Sequence, residues 1–156
     1  MHTWPADPSP ALETAFRAVA AGPMADVPLC NAALTVEAVA FQRAPDGHWV
    51  GALVTPWAIN LLRLPADAAT WPAVAAGGKH DWRLPSGDYE FTVAEEASLG
   101  PYHLCSLFSP ALEFESHAAA RLTALAAVEA LLQAPLAAPP APAPAPTRRA
   151  FLGLRG

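Results

Sequence analysis

The feature that most constrains this chain is a pair of short apolar runs that meet across a turn between residues 82 and 94. Tyr89, Phe91 and Val93 alternate with Glu90, Thr92 and Ala94, the two-residue period of a half-buried strand. Leu84-Pro85-Ser86-Gly87-Asp88 supplies the turn residues that join this run to Trp82-Arg83-Leu84. Gly100-Pro101 breaks the chain again, and 102–108 reads as a further strand. A strand pair with one apolar face must bury that face, so the fold is built around a sheet.

More strands precede these. Runs at 34–42, 48–55, 59–64 and 80–84 carry strand composition, and Pro45-Asp46-Gly47 is a hairpin signal between the first two. Links this short favour antiparallel pairing, because parallel strands need crossovers of a dozen or more residues. Residues 67–78 form the one longer connection, a loop with a helical turn. Ser9-Pro10 opens a helix that ends before Gly22-Pro23, and Leu12, Phe16 and Val19 share a face that packs on the sheet. Ser116 is the expected N-cap of a second helix running to about Gln133, with Leu122, Leu125, Val128 and Leu132 at helical spacing. The expected class is α+β: a twisted, mainly antiparallel sheet of five to six strands with an N-terminal and a C-terminal helix.

Residues 1–133 are expected to form this domain, and 134–156 a separate tail. From 134 to 146 the chain is alanine and proline apart from Leu136. That composition buries no core and favours extended polyproline conformation, so a disordered spacer reaching roughly 40 Å is expected. Charge divides at the same boundary. The body has six basic against fourteen acidic residues, a net of −8, whereas the tail has Arg148, Arg149 and Arg155 and no acid. An acidic body is a poor nucleic-acid binder and suits a basic peptide better.

No run of eighteen apolar residues occurs, and Met1-His2-Thr3-Trp4-Pro5 lacks a basic start followed by an apolar stretch. A soluble, cytoplasmic protein without membrane insertion is expected. Cys30 and Cys105 form no CxxC pattern, which favours a reducing compartment and structural thiols. His2, His48, His80, His103 and His117 are scattered without metal-ligand spacing. No nucleophile elbow or phosphate-binding glycine loop is present. Neither catalysis nor a metal or other cofactor is expected, which leaves binding.

Between Arg83 and Arg121 there is no Lys or Arg, yet Asp88, Glu90, Glu95, Glu96, Glu113 and Glu115 lie there. Individually these are solvated carboxylates. Together with Tyr89 and Tyr102 they offer bidentate acceptors and stacking faces for guanidinium groups. Glu90 points away from Tyr89 and Phe91, so Glu95, Glu96 and Tyr102, which flank the 98–101 turn, are the stronger candidates. Trp57, Trp82 and Phe108 sit beside turns, either as core residues or as an apolar groove rimmed by acids.

LPSGDYEF, the acidic pair Glu95-Glu96 with Leu99-Gly100-Pro101-Tyr102, and CSLFSP together resemble the HybE-type assembly chaperones of [NiFe] hydrogenases. LVTPW, NLLRLP and LTVEAVAF extend the resemblance over most of residues 10–133. It implies a chaperone that binds the immature hydrogenase small subunit, or its twin-arginine signal peptide, until cofactor insertion and subunit pairing are complete. The large subunit and other maturation proteins are further implied partners. The alternative is a scaffold for a folded subunit or another maturation factor that ignores the signal peptide. Some relatives carry a rubredoxin module with paired CxxC motifs, and this chain has none. Thr147-Arg148-Arg149-Ala150-Phe151-Leu152 looks like the core of a twin-arginine signal, but only four residues follow it. The segment is therefore expected to act as a binding tag, through Arg148, Arg149, Phe151 and Leu152, rather than as an export signal.

Overall fold

The structure, a computed structural model, describes residues 1–135. The expected spacer and the tail motif Arg148-Arg149 with Phe151 and Leu152 lie outside the described residues. Along the chain run α1 (Ser9–Ala21), β1 (Glu37–Arg43), β2 (Trp49–Val54), β3 (Ile59–Leu64), β4 (Lys79–Leu84), β5 (Gly87–Glu96), β6 (Gly100–Phe108) and α2 (His117–Leu132). The six strands form one antiparallel sheet in the order β1-β2-β3-β6-β5-β4. After the β1-β2-β3 meander, residues 65–78 carry the chain to the far edge. The β4-β5-β6 meander then returns until β6 pairs with β3. The α+β class, the antiparallel pairing and both helices agree with the sequence reading.

Each helix covers a different face. On one side Leu12 and Ala15 of α1 pack with Trp49, Leu53, Leu62, Leu64 and Tyr102. On the other, Ala120, Ala124, Val128 and Leu131 of α2 pack with Val50, Ala52, Val54, Ile59 and Leu61. β2 lies between the helices, so all six of its residues are buried. This explains why WVGALV shows no alternation. Gly51 is required there, because a Cβ would fall 2.4 Å from the Phe41 ring that lies across it.

The packed face of α2 differs from the leucine spacing. Leu122 is 65% exposed and Leu125 37%. The buried row is Ala120, Ala124, Val128 and Leu131, because small residues let the helix backbone approach β2 closely. Ser116 caps the helix by accepting from the Ala119 amide at 3.1 Å. In α1, Leu12 is fully buried, whereas Phe16 is half-buried with its ring edge against Tyr102 at 6.1 Å.

β1 begins three residues later than its apolar run. Leu34 N–H bonds back to the Asn31 carbonyl, and Thr35 N–H donates to His117 Nδ1. At its middle a bulge places Ala40 at φ 57° between Val39 and Gln42, which twists this edge strand away from open pairing.

Candidate functional site

One surface hollow suited to a partner lies near the meeting of three connections: residues 22–36, 55–58 and 109–116. Asn31 joins them. Its backbone N–H donates to the Pro56 carbonyl at 2.7 Å. Its side-chain amide donates to the carbonyls of Ala111 (3.0 Å) and Phe114 (2.8 Å), and its Oδ1 accepts from the Ala33 amide at 2.9 Å. Through its backbone and side chain together, this one residue satisfies backbone groups from two distant segments, which fixes loops that lack regular structure.

The groove beside this hub has a volume of ≈ 450 Å³ and is lined by Met24, Val27, Cys30, Leu34 and Trp57, with Asp26 at its edge. Cys30 donates its thiol to the Met24 carbonyl at 3.4 Å, which holds the loop's bend. Leu29 (53% exposed) and Leu112 (51%) lie in the flanking loops. Residues 18–42, 55–58 and 84–120 contain no Lys or Arg, while Asp26, Glu113 and Glu115 are exposed. Glu37, behind the groove, is not free. It takes Arg121 Nε at 2.8 and 3.0 Å and His117 Nε2 at 2.7 Å. Burial alone would raise its pKa, but hydrogen bonds and charge from His117 and Arg121 hold it below the usual value. The groove is apolar, with Asp26 and no Lys or Arg in its lining, and so suits an apolar segment that carries positive charge.

Sequence-predicted residues fall in separate places. Trp57 lines this groove. Phe108 is half-buried and packs edge-on against Phe114 at 5.0 Å. Glu95 and Glu96 lie at the opposite end of the sheet, since Glu96 pairs with Gly100 at the start of β6 whereas Phe108 ends it. Eight residue steps of strand separate these ends by about 26 Å. Glu95 is exposed, whereas Glu96 accepts from the Ser98 amide at 2.8 Å and from its hydroxyl. Tyr102 is buried beneath α1, and burial, reinforced by the charge of Glu96, raises its pKa. Tyr89 is half-buried, its hydroxyl 2.6 Å from Ser86 Oγ, which in turn donates to the Leu131 carbonyl at the end of α2.

Trp82 belongs to an interior cluster on the α2 face. Its ring lies among Trp71 (5.2 Å), His80 (4.7 Å), His48 (5.8 Å) and His103 (5.6 Å). The fully buried guanidinium of Arg63 sits 4.4 Å over it. Arg63 is neutralised by Asp46 from the β1–β2 turn at 2.7 and 2.8 Å. Trp71 covers the cluster from the 65–78 crossover, following a 3-10 turn at Ala68–Thr70. Sequence reasoning missed Asn31, Met24, Trp71 and this histidine cluster. No motif marks them, because their neighbours are more than fifteen residues away in the chain or lie in irregular loops.

Among the described residues, no group of three or more His, Cys, Asp or Glu is placed to hold a metal ion. No helix among them is long and apolar enough to cross a membrane.

Comparison with known proteins gives a consistent picture. The family model described as "[NiFe]-hydrogenase assembly, chaperone, HybE" matches residues 7–154. The chain is 42% identical over 138 residues to Protein HoxT of Cupriavidus necator, covering 80% of this chain and 75% of that protein. It is 43% identical to the hydrogenase expression/formation protein HupJ of Bradyrhizobium diazoefficiens, covering 78% and 69% of the two chains. The solution structure of HybE from Escherichia coli superposes with a TM-score of 0.69 at 26% identity, covering 100% of this chain and 95% of that one.

Proposed function

The chain belongs to the HybE family of [NiFe]-hydrogenase assembly chaperones, and on that footing we propose that it holds the immature hydrogenase small subunit through a basic, apolar segment such as its twin-arginine leader. The observation that carries this reading is the apolar groove at Trp57, with Asp26 in its lining, whose two contributing segments contain no Lys or Arg. An extended segment with arginines would meet Asp26 in the groove, and Glu113 and Glu115 on the loop that Asn31 ties to it, while its apolar side chains displace water from Met24, Val27 and Trp57. The task is retention rather than chemistry: the client stays bound until its cofactors are inserted and the large subunit arrives. Other maturation proteins would meet the complex at surfaces away from the groove. The chain acts in the cytoplasm, where the client is made, and residues 1–133 form the binding domain.

A pull-down with the small subunit, with and without its leader, tests this. Stronger retention of the leader-bearing form, lost in Trp57→Ala, is expected. Equal retention of both forms would favour a scaffold that reads the folded subunit, and retention of neither would overturn the small subunit as client.

A further inference from the structure

A second hollow, of ≈ 370 Å³, lies at the opposite end of the sheet from the Trp57 groove. It opens between the crossover loop and the β5–β6 turn, and Val74, Val93, Ala94 and Pro101 form its apolar wall with Glu95 at the rim. The hollow is rigidly built, because the Gly77 amide donates to the Val93 carbonyl and the Val93 amide to the Gly78 carbonyl, both at 2.8 Å. Met1 also lines it.

We propose that this hollow receives the chain's own C-terminal segment, with the Arg148-Arg149 pair against Glu95 at the rim and Phe151 among Val74, Val93 and Pro101. Position and reach carry the argument. The last described residue, Pro135, lies beside Ser86 and Gly87 at the start of β5, and Glu95-Glu96 ends the same strand. Eight or nine strand steps separate these points by about 30 Å. At about 3.1 Å per residue, the extension that an alanine and proline composition favours, residues 136–146 would span about 34 Å. The spacer is thus matched to the length of the strand it would run beside, and it delivers a segment of net +3 without acids to the acidic end of the sheet. A free peptide making two exposed charge contacts and burying one ring binds weakly, between micromolar and millimolar. A tether supplies an effective concentration of about millimolar, enough to populate the docked form. Docking here leaves the Trp57 groove open, so the proposal stands apart from the identity of the client.

The test uses the full chain with a nitroxide on Gly156→Cys in a Cys30→Ser, Cys105→Ala background. Loss of amide signal at Val74, Val93, Ala94 and Glu95 is expected. It should be independent of protein concentration, weaken in high salt as screening shortens, and vanish in Arg148→Glu with Arg149→Glu. A parallel comparison keeps the native cysteines: the amide shifts of Val74, Ala94 and Glu95 should differ between the wild-type chain and that double variant. Unperturbed amides in both measurements, broadening at Trp57 instead, or broadening that grows with concentration would each overturn docking of the tail on its own body.

Discussion

The indole N–H of Trp82 donates to Nδ1 of His103 at 2.8 Å, with both rings buried. Because an indole nitrogen only donates, this bond sets the His103 tautomer: Nδ1 is the acceptor and the proton resides on Nε2. His103 is therefore a neutral core residue. Burial, followed by the neighbouring charges of His80, Arg63 and His48, lowers its pKa from 6.5 to about 4.

This arrangement makes stability fall with acidification. Between pH 6.5 and about 4 the unfolded chain binds a proton at this position and the folded chain does not, so stability rises with pH across that window. At about 1.4 kcal/mol per unit, the effect is on the order of 3 kcal/mol. Urea denaturation at pH 7 and pH 4.5 should show the loss. His103→Gln keeps an acceptor for Trp82 without a titrating ring and should flatten that part of the profile.

Asp46→Asn strands the buried guanidinium of Arg63, whose Nε already lacks a hydrogen-bond partner among the described residues. Removing one member of a buried pair costs about 3–5 kcal/mol, and the partial exposure of Asp46 places this case at the lower end. A lower urea midpoint with an unchanged slope is expected. Burial alone would raise the Asp46 pKa, but the hydrogen bonds and charge of Arg63 hold it below its ordinary 3.8. Its stabilisation is thus present above that value and is lost only as pH falls through the depressed folded one.

Two tryptophans should separate binding from folding. Trp82→Ala empties a buried aromatic site and should cost about 3–5 kcal/mol of stability. Trp57→Ala, at a half-buried groove wall, should change stability by less and weaken client retention by tenfold or more, about 1.4 kcal/mol. Melting curves and the small-subunit pull-down, measured on both variants, provide the check. Equal loss of stability in the two would remove Trp57 from the groove's functional account.

Asn31→Ala removes the clamp that holds the three loops beside the groove. Leaving the Ala111 and Phe114 carbonyls without donors should cost about 1–3 kcal/mol. Amide exchange should accelerate in residues 22–36 and 109–116 while the sheet core remains protected.

The face of α2 provides a further test of packing. Leu122→Gln lies on the exposed side and should alter the melting temperature little. Ala124→Leu forces a larger side chain against β2 and should destabilise by about 1–3 kcal/mol. The reverse ranking would mean that the helix is rotated about its axis.

Local pattern alone carried the strands of the β4–β5 hairpin, the Pro45-Asp46-Gly47 turn, the Ser116 cap and hence the α+β class. Each depends on a period or turn residue confined to a few positions. The resemblance in LPSGDYEF and CSLFSP likewise reached the family, because it resides in the order of short blocks along the chain. Strand order, by contrast, depends on where the 65–78 crossover goes, and loop composition does not encode its destination. Helix orientation was hidden because alanine rows pack as well as leucine rows when backbones approach closely, so Leu122 and Leu125 marked the wrong side of α2. The partition of Trp57 to a groove, of Trp82 and Tyr102 to the core and of Glu95-Glu96 to the far end of the sheet was likewise decided in three dimensions. Adjacent strand residues differ in face, and strand ends differ by the whole length of the sheet. Only tertiary packing brings Asn31 to Ala111 and Phe114, or Arg63 to Asp46, because those contacts join segments that share no local pattern.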